Sequence, residues 1–187
     1  MQIETSPLAG LLVITPRRFG DARGFFCETW NPATLADHGI NLPAFVQDNH
    51  SFSAARGTVR GLHFQAPPYA QGKLVRCGRG ALFDVAVDIR RTSPTYGNWF
   101  GVELSFENGK QLWIPEGFAH GFMTLTPDTE IIYKCTAPYA PDHEGAVHWQ
   151  SCGIEWPLDL ADAVLSEKDH AALPLSDLDS PFHGGAG

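Results

Sequence analysis

Leu82 to Ile89 reads LFDVAVDI. Phe83, Val85, Val87 and Ile89 take every second position, and Asp84, Ala86 and Asp88 stand between them. A two-residue period is that of a β-strand, whose successive side chains point to opposite faces. Outward from this stretch the same texture recurs. Trp99 to Leu104, Gln111 to Ile114, Gly121 to Leu125 and Glu130 to Thr136 are short extended runs. Turn signals such as Glu107-Asn108-Gly109 and Thr126-Pro127-Asp128 separate them. No helix-length periodic segment lies between Phe45 and Cys135. Strands so closely spaced pair as antiparallel hairpins, so the expected fold is all-β, closed as a sandwich or barrel.

The flanks add little helix. Leu11 to Thr15 reads as a first strand, Pro16 to Gly24 as a turn-rich link, and Phe25 to Trp30 as extended chain. Asn31-Pro32 offers a cap and a first-turn proline, and Gly39 a stop, which predicts a short helix over Pro32 to His38. Ser166-Glu167-Lys168-Asp169 has capping-box spacing and predicts another. The tail from Ser180 to Gly187 is expected to fray. With no repeat and no linker, residues 1–187 are expected to form a single domain.

Composition limits the partners. The chain has 187 residues, 43% of them hydrophobic and 18% charged, enough for a sizeable core. Nineteen Gly and fourteen Pro suit a turn-rich β architecture. A net charge of −8 disfavours nucleic acid and anionic membrane, which want a basic face. A small anionic substrate needs only a few local cations. Cys27, Cys77, Cys135 and Cys152 form no C-x-x-C pair and read as reduced core residues. No signal peptide or apolar run of membrane-spanning length is apparent, and the reading is a cytoplasmic protein.

Chemistry concentrates between Phe45 and Arg76, FVQDNHSFSAARGTVRGLHFQAPPYAQGKLVR. A sheet needs none of Gln47, Asp48, Asn49, Arg60, His63, Lys73 or Arg76. Their density points to a pocket for an anionic ligand with a base in it. His63 is either a satisfied histidine or a general base able to take a proton from carbon beside a carbonyl. Strand parity puts Arg60 on the face opposite His63. Both can serve one pocket only through a bulge, plausible at Gly61, or if Arg60 reaches around an edge. Lys73 is either a solvated lysine before a strand or a cation for an enolate or phosphate. Tyr133, in EIIYKCT, shares a face with Ile131 and Cys135, as a core tyrosine or a general acid. IPEGFAHGF, from Ile114 to Phe122, is similar to the second motif of cupins, with an inward histidine at His120. The metal-binding H-x-H of the first cupin motif is absent: its place reads Leu62-His63-Phe64. Two imidazoles without further ligands make a poor metal site.

Six segments in register carry a family resemblance. They are FGDARGFFCETW, FVQDNHSFS, GTVRGLHFQAPPYAQGKLVRC, FDVAVDIRRTSPTYGNWFGVELS, QLWIPEGFAHGF and IIYKCTAPYAP. Together, from about Arg18 to Trp156, they resemble the dTDP-4-dehydrorhamnose 3,5-epimerases of dTDP-L-rhamnose synthesis. The resemblance implies a cupin-type jelly roll, a homodimer, and metal-free double epimerisation without a cofactor. The implied substrate is dTDP-4-dehydro-6-deoxy-D-glucose and the product dTDP-4-dehydro-L-rhamnose. It implies His63 as proton acceptor, Tyr133 as proton donor, Asp169 as the carboxylate paired with His63, and Lys73 and His120 as sugar contacts. Arg23, Glu28, Gln47, Asp48, Asn49, Arg60, Glu144 and Lys168 become nucleotide or substrate contacts, with Arg23 and Glu28 coming from the neighbouring subunit. Tyr139 is a further substrate contact and a second candidate acid. The chain departs from the family pattern most around Lys168.

The residue types meet the chemistry independently. The C4 ketone acidifies the hydrogens at C3 and C5. Each inversion needs a base on one face, an acid on the other and a cation at O4. No Gly-rich dinucleotide fingerprint is present, and no net redox change calls for one. The rival readings are a single-site epimerase of a related dTDP-keto-sugar, a metal cupin oxygenase, and a non-catalytic sugar-nucleotide binding module.

Overall fold

The structure is a computed structural model describing residues 1–183. The early strands are β1 (Gln2–Thr5), β2 (Leu12–Thr15), β3 (Arg18–Asp21) and β4 (Gly24–Cys27), followed by helix α1 (Pro32–Ala36). Then come β5 (Gln47–Ser53), β6 (Val59–Gln65), β7 (Lys73–Arg79), β8 (Ala81–Asp88) and β9 (Trp99–Ser105). β10 (Gln111–Ile114), β11 (Phe118–Thr124), β12 (Thr129–Cys135) and β13 (Glu144–Ala146) complete the strands, and α2 (Glu167–His170) follows. A six-stranded sheet runs β1-β2-β10-β7-β12-β5, and a five-stranded sheet runs β13-β6-β11-β8-β9. β3 and β4 form a separate hairpin. The pairings between named strands are antiparallel. This is the expected all-β, cupin-like sandwich. No helix is long and apolar enough to cross a membrane among the described residues.

Both faces of β8 are buried. Its even positions Leu82 and Ala86 join Val75, Leu112, Phe122 and Ile131 between the sheets. Val85 and Val87, with Ile89 just beyond the strand, face the other way, against Trp149, Trp156 and Phe182 of the C-terminal segment. Val85, Val87 and Ile89 are each 0% exposed, worth roughly 1.5–3 kcal/mol apiece in burial. Outside the six-stranded sheet, Leu35 of α1 packs with Ile14, Leu74 and Trp113. Asn31 caps α1 as expected, its side chain accepting from the amides of Ala33 and Thr34, but the helix closes at Ala36, before His38.

The expected fraying of the tail is corrected for Ser180 to Phe182. Ser180 is 1% exposed, and its hydroxyl donates to the Ile89 carbonyl. The Arg91 amide donates to the Phe182 carbonyl at 3.0 Å, and the Phe182 ring meets Phe64 at 5.9 Å between centroids. An aromatic that completes a core keeps its segment in place. Residues 184–187 of the tail lie outside the described residues.

The parity conflict on β6 is settled by a bulge. His63 pairs with His120, whereas Arg60 pairs with Phe122, so three steps on β6 oppose two on β11. The extra residue rotates Arg60 back toward the side that His63 faces. Gly61 sits there with φ +110°, and a Cβ would lie 2.5 Å from the His120 carbonyl oxygen. Glycine alone meets both demands.

Candidate active site

A cavity of about 470 Å³ opens between the sheets. β6 contributes Arg60 and His63, β7 Lys73, β11 His120, β12 Tyr133, and the α2 region Lys168 and Asp169. Seven residues singled out in the sequence thus converge.

His63 Nε2 lies 2.5 Å from Asp169 Oδ1. Asp169 is 3% exposed and arrives on α2, whose N-cap is Ser166. Ser166 Oγ accepts from the Asp169 amide at 3.2 Å and donates to Asp169 Oδ2 at 2.8 Å. The Gly61 amide approaches Oδ1 at 3.4 Å. Burial pushes this carboxyl up, but the hydrogen bonds from His63, Ser166 and Gly61 outweigh it and hold it below the ordinary aspartate range. An ionised Asp169 holding Nε2–H leaves Nδ1 of His63 as the free basic nitrogen.

Tyr133 stands across the cavity, in register with Asn49 and Val75. Burial raises its phenol above the ordinary range, with Cys135 and Glu144 acting in the same sense and Arg60 against. The phenol therefore keeps its proton at neutral pH. Lys73 lines the same space. Burial pushes its amine below the usual lysine range, while Cys135, Asp84 and Glu144 act in the opposite sense. His120 Nε2 lies 2.8 Å from Asp84 Oδ1. Asp84 is 0% exposed, and its Oδ2 has no hydrogen-bond partner. Reading LFDVAVDI for periodicity passed over Asp84 as a residue of chemical interest. The available signal was a carboxylate in the middle of a strand. Ser166 was legible as a cap but not as a partner of the carboxylate beside His63.

A smaller cavity of about 110 Å³ shares His63, Lys73 and Tyr133 and adds Gln47, Asn49, Gln65, Gln71, Tyr139 and Glu144. Glu144 Oε2 accepts from Lys168 Nζ at 2.5 Å and from the Tyr139 hydroxyl at 3.1 Å. Burial raises the Glu144 carboxyl, but Lys168 and Tyr139 bring it below its ordinary range. Gln47 donates to Asn49 Oδ1 at 2.8 Å.

Three sequence candidates lie elsewhere. Asp48 pairs with Lys134 at 3.0 Å on the outer side of the six-stranded sheet. Arg23, at the β3–β4 turn, pairs with Asp21 at 2.5 Å with 90% of its side chain exposed. Glu28 accepts from Asn31 Nδ2 and Thr34 Oγ1 at the start of α1. None of these lines either cavity. Among the described residues, no cluster of three or more His, Cys, Asp or Glu side chains is arranged to hold a metal.

Residues 5–177 match a family model described as dTDP-4-dehydrorhamnose 3,5-epimerase. The chain belongs to this family. It is therefore an enzyme of the epimerase class. A dTDP-4-dehydrorhamnose 3,5-epimerase of Sinorhizobium fredii is 54% identical over 188 residues, covering 97% of this chain and 93% of the relative. The structure is also similar to dTDP-6-deoxy-D-glucose-3,5-epimerase of Legionella pneumophila in complex with dTDP-4-keto-L-rhamnose. That likeness has TM-score 0.92 and 44% identity, over 99% of each chain. A dTDP-4-dehydrorhamnose 3,5-epimerase of Bacillus anthracis, solved with TDP and pyrophosphate bound, superposes with TM-score 0.88. It is 43% identical, over 92% of this chain and 98% of that one. The match to the epimerase family spans both sheets and reaches past α2, so the His63–Asp169 pair lies within it.

Proposed function

We propose that this epimerase converts dTDP-4-dehydro-6-deoxy-D-glucose to dTDP-4-dehydro-L-rhamnose, in dTDP-L-rhamnose biosynthesis. His63 and Tyr133 carry the proposal: they enter one cavity from opposite sheets, with Lys73 beside them. His63 Nδ1 takes the proton from C5 or C3. Lys73 stabilises the oxygen of the resulting enolate. Tyr133 delivers a proton to the opposite face of the same carbon. Asp169 orients His63 and supports the imidazolium that forms. Arg60 and Lys168 face the diphosphate. His120 contacts the sugar, and Gln47, Asn49, Tyr139 and Glu144 contact the nucleotide end. The four free cysteines suit a reducing cytoplasm, where the reaction is placed.

Incubation with dTDP-4-dehydro-6-deoxy-D-glucose in deuterated buffer tests the function. NMR is expected to show deuterium at both C3 and C5 and the L-rhamno configuration. Exchange at neither carbon overturns the epimerase reading. Exchange at one carbon makes the protein a single-site epimerase.

The proposal is metal-free. Excess EDTA is expected to leave turnover unchanged. Loss of activity that stoichiometric zinc, iron or manganese restores would contradict it.

The proposed assembly is a homodimer in which Arg23 and Glu28 serve the neighbouring site. Supporting this, the β3–β4 hairpin exposes Phe19, Phe25 and Phe26, and Arg23 and Glu28 line neither cavity of the candidate site. Arg23→Ala is then expected to weaken substrate binding. Mixing His63→Ala with Arg23→Ala protein is expected to restore activity through hybrid dimers that contain one intact site. If subunits exchange and activity does not return, each site is built from one chain.

A further inference from the structure

Gln65 stands two residues beyond His63 on β6 and is 4% exposed. Its carboxamide joins two loops. Nε2 donates to the Tyr69 carbonyl at 2.7 Å, in the loop between β6 and β7. The same nitrogen donates to the Pro138 carbonyl at 3.1 Å, in the loop after β12. Oε1 accepts from the Ala140 amide at 2.9 Å. Tyr139 is thus gripped from both sides. Gln47 and Gln71 hold the same loop, accepting from the Tyr139 amide and donating to the Ala137 carbonyl, both at 2.8 Å. Those two glutamines are partly exposed, so water can take their place. Gln65 also lines the smaller cavity, but at 4% exposure water replaces its amide less readily. Removing the amide leaves two carbonyls and an N–H that no longer share one partner, so nothing ties the two loops together at this point.

We infer that Gln65 is a positioning residue for nucleotide binding: its amide clasps the two loops and fixes Tyr139 beside the smaller cavity. Through the Tyr139 hydroxyl the clasp extends to Glu144 and Lys168. Only glutamine meets the geometry. Glutamate lacks both donors, asparagine is one methylene too short to reach both loops, and leucine fills the space without bonding. The inference rests on the proposed dTDP-sugar reading of the site.

Calorimetric titration with dTDP tests it on the wild type, Tyr139→Ala, Gln65→Leu, Gln65→Asn and the Tyr139→Ala/Gln65→Leu double variant. Tyr139→Ala and both Gln65 variants are each expected to raise Kd about tenfold. The double variant is expected to be no worse than Tyr139→Ala alone, because Gln65 acts through that ring. For the Gln65 variants the KM for substrate should rise with Kd, with a smaller change in kcat. No dTDP binding by the wild type overturns the reading of the site and the clasp with it. A loss in Tyr139→Ala with unchanged Kd in a folded Gln65 variant overturns the clasp alone, as do additive losses in the double variant. Should Gln65→Leu fail to fold, Gln65→Asn keeps a polar group in the buried position and carries the same test.

Discussion

His63→Ala is expected to lower epimerisation by about 100- to 10,000-fold, the range for losing a general acid–base group. Deuterium exchange at C3 and C5 should fall by the same factor, because no enolate forms without the base. Lys73 does not substitute in the proposed reaction, because it contacts the enolate oxygen and not the carbon-bound proton. Asp169 does not substitute either. It is ionised, 3% exposed and held by Ser166 and the Gly61 amide. The variant should still bind dTDP, which separates lost chemistry from lost binding. Rapid exchange at either carbon in a folded His63→Ala protein would assign the base elsewhere.

Tyr133→Phe is expected to divide two quantities that the wild type couples. The ring and its packing remain, and only the phenolic proton is lost. His63 still removes a carbon-bound proton and Lys73 still stabilises the enolate. Reprotonation from the opposite face fails, so the proton returns from the side it left. Epimerised product should fall by about 100-fold or more while exchange at C5 or C3 falls much less. NMR in deuterated buffer reads both in one sample. A Tyr133→Phe protein that epimerises at near wild-type rate would show that Tyr133 is not the acid. Tyr139 then becomes the next candidate, although its hydroxyl donates to Glu144.

The parts that were legible in the sequence are those with a local cause. The alternation of LFDVAVDI fixes the two faces of β8, and Asn31-Pro32 marks the start of α1, because pleat and cap are set within a few residues. What stayed hidden has distant causes. Parity separates Arg60 from His63, and only the β6–β11 pairing reveals the bulge that reunites them. Asp84 becomes chemically interesting only once β11 lays His120 beside it. Gln65 reads as an ordinary strand residue, and its partners Pro138 and Ala140 lie far along the chain. Arg23 and Glu28 were singled out by resemblance alone, and they line neither cavity of the candidate site. The tail was misjudged because composition predicts its polarity but not that Phe182 has a place in the core.

The position of α2 has a consequence for the order of synthesis. Every strand among the described residues ends by Ala146, whereas Asp169 comes later. A ribosome therefore releases the strands of both sheets before it releases the partner of His63. The residues after Ala146 also supply the cover of the five-stranded sheet, through Trp149, Trp156 and Phe182. A message cut short before codon 147 therefore yields a sandwich with one face bare and no carboxylate behind the histidine. His63 gains its carboxylate partner only when this later stretch of chain closes over the sheet.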